Sequence, residues 1–356
     1  MVEDFETFQS ELREASAIAP NDPEILRYLG AGLCRDGRPK EGVKVLNRAL
    51  GLMLRAGKTP DPGLLLHRGM ARRELGDPDG AFKDFLAAKA LLGDQRRPDV
   101  RRPLGLNLAE ALRERGRRDE AFRELEDLRR RGMEDSEVLA ALAFLKILED
   151  QIEEAEKLSL RALKSGPDGH GANAVRAAVC LLKKEWKEAE QRSRFVLKLS
   201  PDNPDLLSIL GEALRQQKQF DEAGRVLRRT LELKPTDARA LRALGGLAAR
   251  QRNWKLAEQC LESFLKSYNP RYEVLKWLAQ AKNELGEPRV AAKLLDRALA
   301  IFAGDPNVHC LRGFVAFNLR DWTTAVRSFD RTLKIRDIPH SMTPILGRRE
   351  FLPRAS

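Results

Sequence analysis

Small residues recur along this chain at a fixed interval, and that interval limits the possible folds more than any other feature. Gly30, Gly69, Ala109, Ala143, Ala177, Gly211, Gly245, Ala279 and Gly313 form one series, whose last six intervals are all 34 residues. A second series follows twelve residues behind: Gly42, Ala81, Ala121, Ala155, Ala189, Ala223, Ala257, Ala291 and Ala325. A strict period of this size marks a repeat array, in which each unit contacts only its neighbours. Small side chains at both places let two antiparallel helices approach toward the low end of the usual range of about 8 to 10 Å. The 356 residues therefore read as one array rather than as two or three globular domains.

Between the two anchors the sequence places a turn. Gly37, Gly76, Gly116 and Gly286 mark it, where glycine readily forms a left-handed C-terminal helix cap. Two residues later come Pro39, Pro78 and Pro288, suited to the first turn of a second helix, or the large apolar residues Ile152, Trp186, Phe220, Trp254 and Trp322. These large side chains are expected to plug the gap between units. The second helix continues with three- and four-residue apolar spacing, as in Ala223, Val226, Leu227 and Thr230, and ends before Pro201 or Pro235. The first two intervals of the anchor series are 39 and 40 residues, so the connections near 51–62 and 93–103 are lengthened loops or helix ends.

This combination of small, small, aromatic and terminal proline positions resembles the tetratricopeptide repeat, a helix-turn-helix of 34 residues. The resemblance implies an all-α fold, a right-handed α-solenoid of about nine stacked units over residues 21–337. Residues 1–20 read as an N-terminal capping helix equivalent to half a repeat, with Phe8, Leu12, Ala15 and Pro20 in frame. Residues 338–356 read as a C-terminal tail or short capping segment offering Ile345, Leu346, Phe351 and Leu352. Arginine replaces the family's usual leucine at Arg68, Arg176 and Arg312; looser packing is expected in those units.

The formal net charge of +11 and pI near 9.6 admit acidic protein surfaces, nucleic acid or anionic membranes as partners. In the most arginine-rich stretch, Arg96 to Arg131, twelve arginines face eight carboxylates, largely interleaved at helical spacing. That pattern describes a solvated helix face better than a nucleic-acid stripe. Single-stranded nucleic-acid binding is kept as the alternative function. Cys34, Cys180, Cys260 and Cys310 are widely separated and contain no CxxC pair, so buried thiols are expected. Neither the four histidines nor the glycines of Gly166 to Gly171 complete a metal-protease or phosphate-loop signature, and the two aspartates of Gly76 to Gly80 offer too few ligands for a calcium loop. No metal, cofactor or catalytic residue is predicted. The acidic start of the chain and the lack of a long apolar run predict a cytoplasmic protein without membrane insertion.

In the resembling family the first helices line an inner, concave surface. Projected onto it, the first three units offer Arg27, Arg73, Asn107 and Arg113 with Tyr28, His67 and Glu110, a polar lining. The next two offer Phe144, Ile147, Val175 and Leu181, an apolar floor; units six and seven offer Glu212, Arg215, Arg239 and Arg242. The last two present Lys276, Trp277, Gln280, Asn283, Phe314 and Phe317. An apolar groove flanked by basic groups suits a helix or extended peptide with acidic and apolar residues. The expected function is a non-enzymatic scaffold or adaptor within a multiprotein complex. The Lys and Asn set with which some family members hold a chain terminus is not reproduced: the first three units read Arg27, Ala31, His67, Pro103 and Asn107.

Overall fold

The computed structural model describes Glu14 and residues 17–336. The expected capping elements in 1–20 and 338–356 lie largely or wholly outside the described residues. Among the described residues there are eighteen α-helices and no strand. The first helices of the repeats are α1 (Pro23–Arg35), α3 (Pro62–Glu74), α5 (Pro98–Glu114), α7 (Ser136–Leu148), α9 (His170–Leu182), α11 (Pro204–Gln216), α13 (Ala238–Arg250), α15 (Tyr272–Glu284) and α17 (Pro306–Asn318). The second helices are α2 (Pro39–Arg55), α4 (Pro78–Leu92), α6 (Arg118–Arg130), α8 (Ile152–Ser165), α10 (Trp186–Leu197), α12 (Phe220–Leu233), α14 (Trp254–Ser267), α16 (Pro288–Ile301) and α18 (Trp322–Arg336). This is an α-solenoid of helix pairs.

The chain divides into two compact units, Met1–Val179 and Cys180–Ser356. Within the first, α1 packs on α2, α3 on α4, α5 on α6 and α7 on α8, and α1, α3 and α5 also touch in succession. Within the second, α11 packs on α12, α13 on α14, α15 on α16 and α17 on α18; α11, α13, α15 and α17 form a continuous row. The first unit's main core gathers Leu46, Leu66, Phe85, Leu108, Leu125 and Leu142, and the second's gathers Leu227, Leu244, Leu261, Leu278 and Leu295.

The small anchors face large side chains sixteen residues further on. A Cβ at Gly69 would lie 2.5 Å from the ring of Phe85, one at Gly211 2.5 Å from Leu227, and one at Gly245 2.6 Å from Leu261. The second anchors Ala81, Ala223 and Ala257 are fully or almost fully buried. Close helix approach and a filled interhelical slot thus come from the same pair of positions.

All nine turns between first and second helices adopt one conformation. The residue after the first helix's C-cap has φ between 59° and 87°, whether it is Gly37, Gly76, Gly116 and Gly286 or Asp150, Lys184, Lys218, Arg252 and Arg320. The next residue's N–H then donates to the carbonyl five residues back, at 2.8–3.0 Å in every repeat, from Arg38 to Leu33 through Asp321 to Ala316. Five turns therefore carry a side chain where glycine is favoured by about 1 kcal/mol. Lys218→Gly is expected to stabilise the array by up to about 1 kcal/mol, read as a rise in the urea midpoint of the full chain; an unchanged or lower midpoint would contradict the turn geometry.

The lengthened connections resolve differently. Near 51–62, α2 runs on to Arg55 before a short link to Asp61. Near 93–103 only 93–97 is a link, because Pro98 to Pro103 extend α5 at its start. The buried Arg101 holds that link, donating to the carbonyls of Gly93 and Gln95.

Candidate protein-interaction faces

The first helices are positioned by their N-caps. Asp22, Asp61, Asp135, Asn203, Asp237 and Asp305 each accept backbone N–H bonds with the side chain. Four of them are also gripped by the first helix of the preceding repeat. Arg27 lies 3.7 Å from Asp61, Arg102 bonds Asp135, Ser208 donates to Asp237 at 2.8 Å, and Tyr272 and Lys276 donate to Asp305. Burial pushes the carboxyls of Asp61, Asp135 and Asp305 up, yet the hydrogen bonds from Arg97 to Asp61, from Arg102 to Asp135 and from Tyr272 to Asp305 hold all three below the usual carboxylate range, with Arg27 adding its charge at Asp61. Each of these four caps therefore ties consecutive first helices together as well as satisfying orphan donors.

In the first unit, the Arg27 guanidinium lies 4.1 Å from the centre of the Tyr28 ring. Burial, with Arg27 and Arg35 nearby and Asp61 opposing, pulls the His67 imidazole below its ordinary value. Arg73 is exposed. Asn107 donates to the Pro103 carbonyl at 2.8 Å. Arg113 bonds both oxygens of Glu110 and lies 5.2 Å from the Phe144 ring centre. Phe144 remains 37% exposed, whereas Ile147 packs against the small cluster of Leu139, Ala143 and Val175.

In the second unit, Leu181 is only 8% exposed. Expected on the apolar binding floor, it lies among the buried side chains. Glu212 is buried and accepts from Arg215 at 3.0 and 2.7 Å and from Gln216 at 2.9 Å, with Arg242 at 3.8 Å. Burial raises its carboxyl, but these partners outweigh that and hold it below the usual range. Lys276 is 3.3 Å from Asp305 and its ammonium lies over the Tyr272 ring. Trp277 seats its indole on α13 where Gly246 has no side chain; a Cβ there would be 2.7 Å from the ring. Gln280 is half-buried, and Asn283 accepts from Asn318 at 3.4 Å. Phe314 packs edge-on against Phe329, and Phe317 against Trp322. Phe317 is 49% and Trp322 55% exposed, so at the last repeat the tryptophan position is not enclosed.

The charge-rich stretch is largely neutralised within the chain. Arg97, Arg102, Arg115, Arg117, Arg129 and Arg131 each pair with one or two carboxylates. Burial raises the Cys34 and Cys260 thiols to about 11, with Glu74 adding to the effect at Cys34. Such a shift disfavours the nucleophilic thiolate form at neutral pH.

No helix among the described residues is long and apolar enough to cross a membrane. Two tetratricopeptide-repeat profiles match the chain, over residues 181–247 and 242–306. No curated protein sequence matches it. Among solved structures, the Cut9–Hcn1 hetero-tetramer of the APC/C has a chain similar in fold, at 14% identity and a TM-score of 0.51, covering 95% of this chain and 92% of that one. PilF of Pseudomonas aeruginosa is 19% identical over 58% of this chain and 94% of its own, with a TM-score of 0.49. MamA from Desulfovibrio magneticus RS-1 is 19% identical over 48% and 97%, with a TM-score of 0.43. With paired helices, a 34-residue period and both profile matches in agreement, the chain is a tetratricopeptide-repeat protein.

Proposed function

We propose that this protein is a non-enzymatic scaffold or adaptor that binds protein partners along the faces of its first helices. The observation that carries this reading is the exposure of Phe144 on α7 and Phe317 on α17, one and four residues after their repeat anchors, on helices whose other large apolar side chains are buried or half-buried. Exposed aromatic side chains on an otherwise packed helix row are the usual anchors of a protein interface. Arg73, which is exposed, and Arg239 and Arg242, which hold no hydrogen-bonded carboxylate, favour a partner segment that mixes acidic and apolar residues, while Arg113, Arg215 and Lys276 are already paired with Glu110, Glu212 and Asp305. Internal pairing of the arginines between Arg96 and Arg131 removes much of the support for a nucleic-acid surface. Phe144→Ala combined with Phe317→Ala is expected to reduce partner capture at least about tenfold without loss of helicity. Undiminished capture would move the interface to another surface.

A further inference from the structure

The strongest unexplained feature of the molecule is Arg239 in the second unit, a half-buried guanidinium with no hydrogen-bonded acceptor among the described residues, together with Arg242 beside it, whose one carboxylate partner, Glu212 at 3.8 Å, is already shared with Arg215 and Gln216. Arg239 and Arg242 stand three residues apart on α13, and Gly246 follows four residues later on the same face. Arg239 is half-buried, and no ion pair or hydrogen bond joins it to another described residue. A guanidinium carries five N–H donors and cannot discharge them by losing its proton at ordinary pH.

The carboxylates nearby are already engaged. Asp237 accepts from Ser208 and from the N–H of Ala240, both at 2.8 Å. Asp205 is held by Lys234 at 2.8 Å. Glu212 is taken by Arg215 and Gln216, leaving Arg242 at 3.8 Å. Burial pulls the Arg239 guanidinium below the ordinary arginine range; Asp237 and Glu212 oppose this, while Arg242 adds to it. For packing alone, an apolar side chain would serve better at this place, because a partly desolvated, uncompensated charge is costly.

One turn beyond Arg242 the surface changes character. Trp277 lies across Gly246 and is half-buried, presenting an apolar shelf on α13 one helical turn beyond Arg242. The four residues from Arg242 to Gly246 span about 6 Å of helix. Two residues of an extended chain cover nearly the same distance, about 6.6 Å.

We infer that this face of α13 and α15 docks an extended acidic peptide of a protein partner, with an Asp or Glu carboxylate between Arg239 and Arg242 and an apolar side chain, two residues away, against Trp277. This rests on the protein-binding reading proposed above and specifies its chemistry in the second unit. Charge complementarity selects the occupant: a carboxylate supplies the planar acceptor pair that arginine engages best.

The test is selection of phage-displayed random 12-residue peptides on the full chain at moderate salt, followed by titration of the enriched sequences. The expected result is an Asp or Glu two residues from an aromatic or aliphatic residue, with affinity reduced at least about tenfold by Arg239→Gln. Replacing the peptide's acid by its amide should weaken binding to the parent and have little further effect on the Arg239→Gln protein. This non-additivity distinguishes a direct contact from a change in folding. The urea midpoint of Arg239→Gln should not fall below that of the parent. Enriched peptides without the acid, or effects of the two changes that simply add, would overturn the inference while leaving the protein-binding reading in place. Failure to enrich any peptide would also overturn the inference, while the protein-binding reading itself falls only if no protein is captured by the full chain.

Discussion

Phe85→Ala is expected to destabilise the second repeat by about 3 to 5 kcal/mol, the cost of emptying a fully buried aromatic site. The Phe85 side chain has no exposed surface. Its ring lies on the backbone of α3, where a Cβ at Gly69 would come within 2.5 Å of it. The cavity left by alanine would be walled on that side by main chain. Helix α3 cannot move in to fill it without giving up its contacts with α1 and α5. Phe85→Leu should cost much less, about 1 kcal/mol, since leucine fills the equivalent place at Leu46, Leu227 and Leu261. Urea unfolding combined with hydrogen exchange would locate the damage, with protection lost first in α3 and α4. A cost below about 1 kcal/mol for the alanine variant would show that the slot can collapse after all.

The second large effect is expected one residue earlier. Asp84 is buried, and its carboxylate accepts from Arg68 at 2.9 and 2.5 Å and from Arg72 at 2.9 Å. Arg68 also reaches Asn47 of the first repeat at 2.9 Å. Asp84→Ala would leave two guanidiniums facing an apolar gap, and breaking a buried pair in this way costs about 3 to 5 kcal/mol. Removing the more buried of the two cations together with the acid, as Arg68→Leu with Asp84→Ala, should recover part of that loss, because only the more exposed Arg72 is then left without that counter-charge. Measured urea midpoints of the single and double variants decide this. A double variant no more stable than Asp84→Ala would contradict the buried-pair explanation.

These arginines show where the sequence was legible and where it was not. Leucine is usual at Arg68, Arg176 and Arg312, and looser packing is the natural expectation for a charged residue there. Instead, Arg68 pairs with Asp84, Arg176 with Glu156 at 3.3 Å and Arg312 with Asp296 at 2.7 Å. Their partners lie 16 to 20 residues away on second helices of the same repeat (Asp84) or the preceding one (Glu156, Asp296), so the compensation is invisible until those helices pack together. The turns were only partly readable for a similar reason: glycine announces a left-handed residue, while Lys218 or Arg252 in that conformation is imposed by the bonded turn around it. The repeat frame itself was legible because small anchors act through backbone approach, which any neighbour requires. The caps left a signal that could have been used, since Asp or Asn precedes proline at Asp22, Asp61, Asn203 and Asp305 in one repeat frame.

Side-chain exposure was the least readable property. Spacing places Leu181 and Phe144 on corresponding helix faces, yet the first is buried and the second is open. Similarly, spacing groups Arg215 with Arg239, although Arg215 is held by Glu212 while Arg239 is left without an acceptor among the described residues. Such differences depend on the size and charge of residues on neighbouring helices, which a single helix's pattern does not contain.

The most direct measurement is quantitative capture of partner proteins from the native lysate by the tagged full chain, after nuclease treatment. The parent would be compared with Phe144→Ala/Phe317→Ala and with a control altered on second helices, Leu86→Ala/Val326→Ala, whose side chains are also exposed. The expected result is a near-stoichiometric protein retained by the parent and the control and depleted at least about tenfold by the first-helix variant. Retention by the first-helix variant with loss in the control would contradict binding along the first helices. Recovery of nucleic acid alone when nuclease is omitted would replace the scaffold reading with a nucleic-acid one.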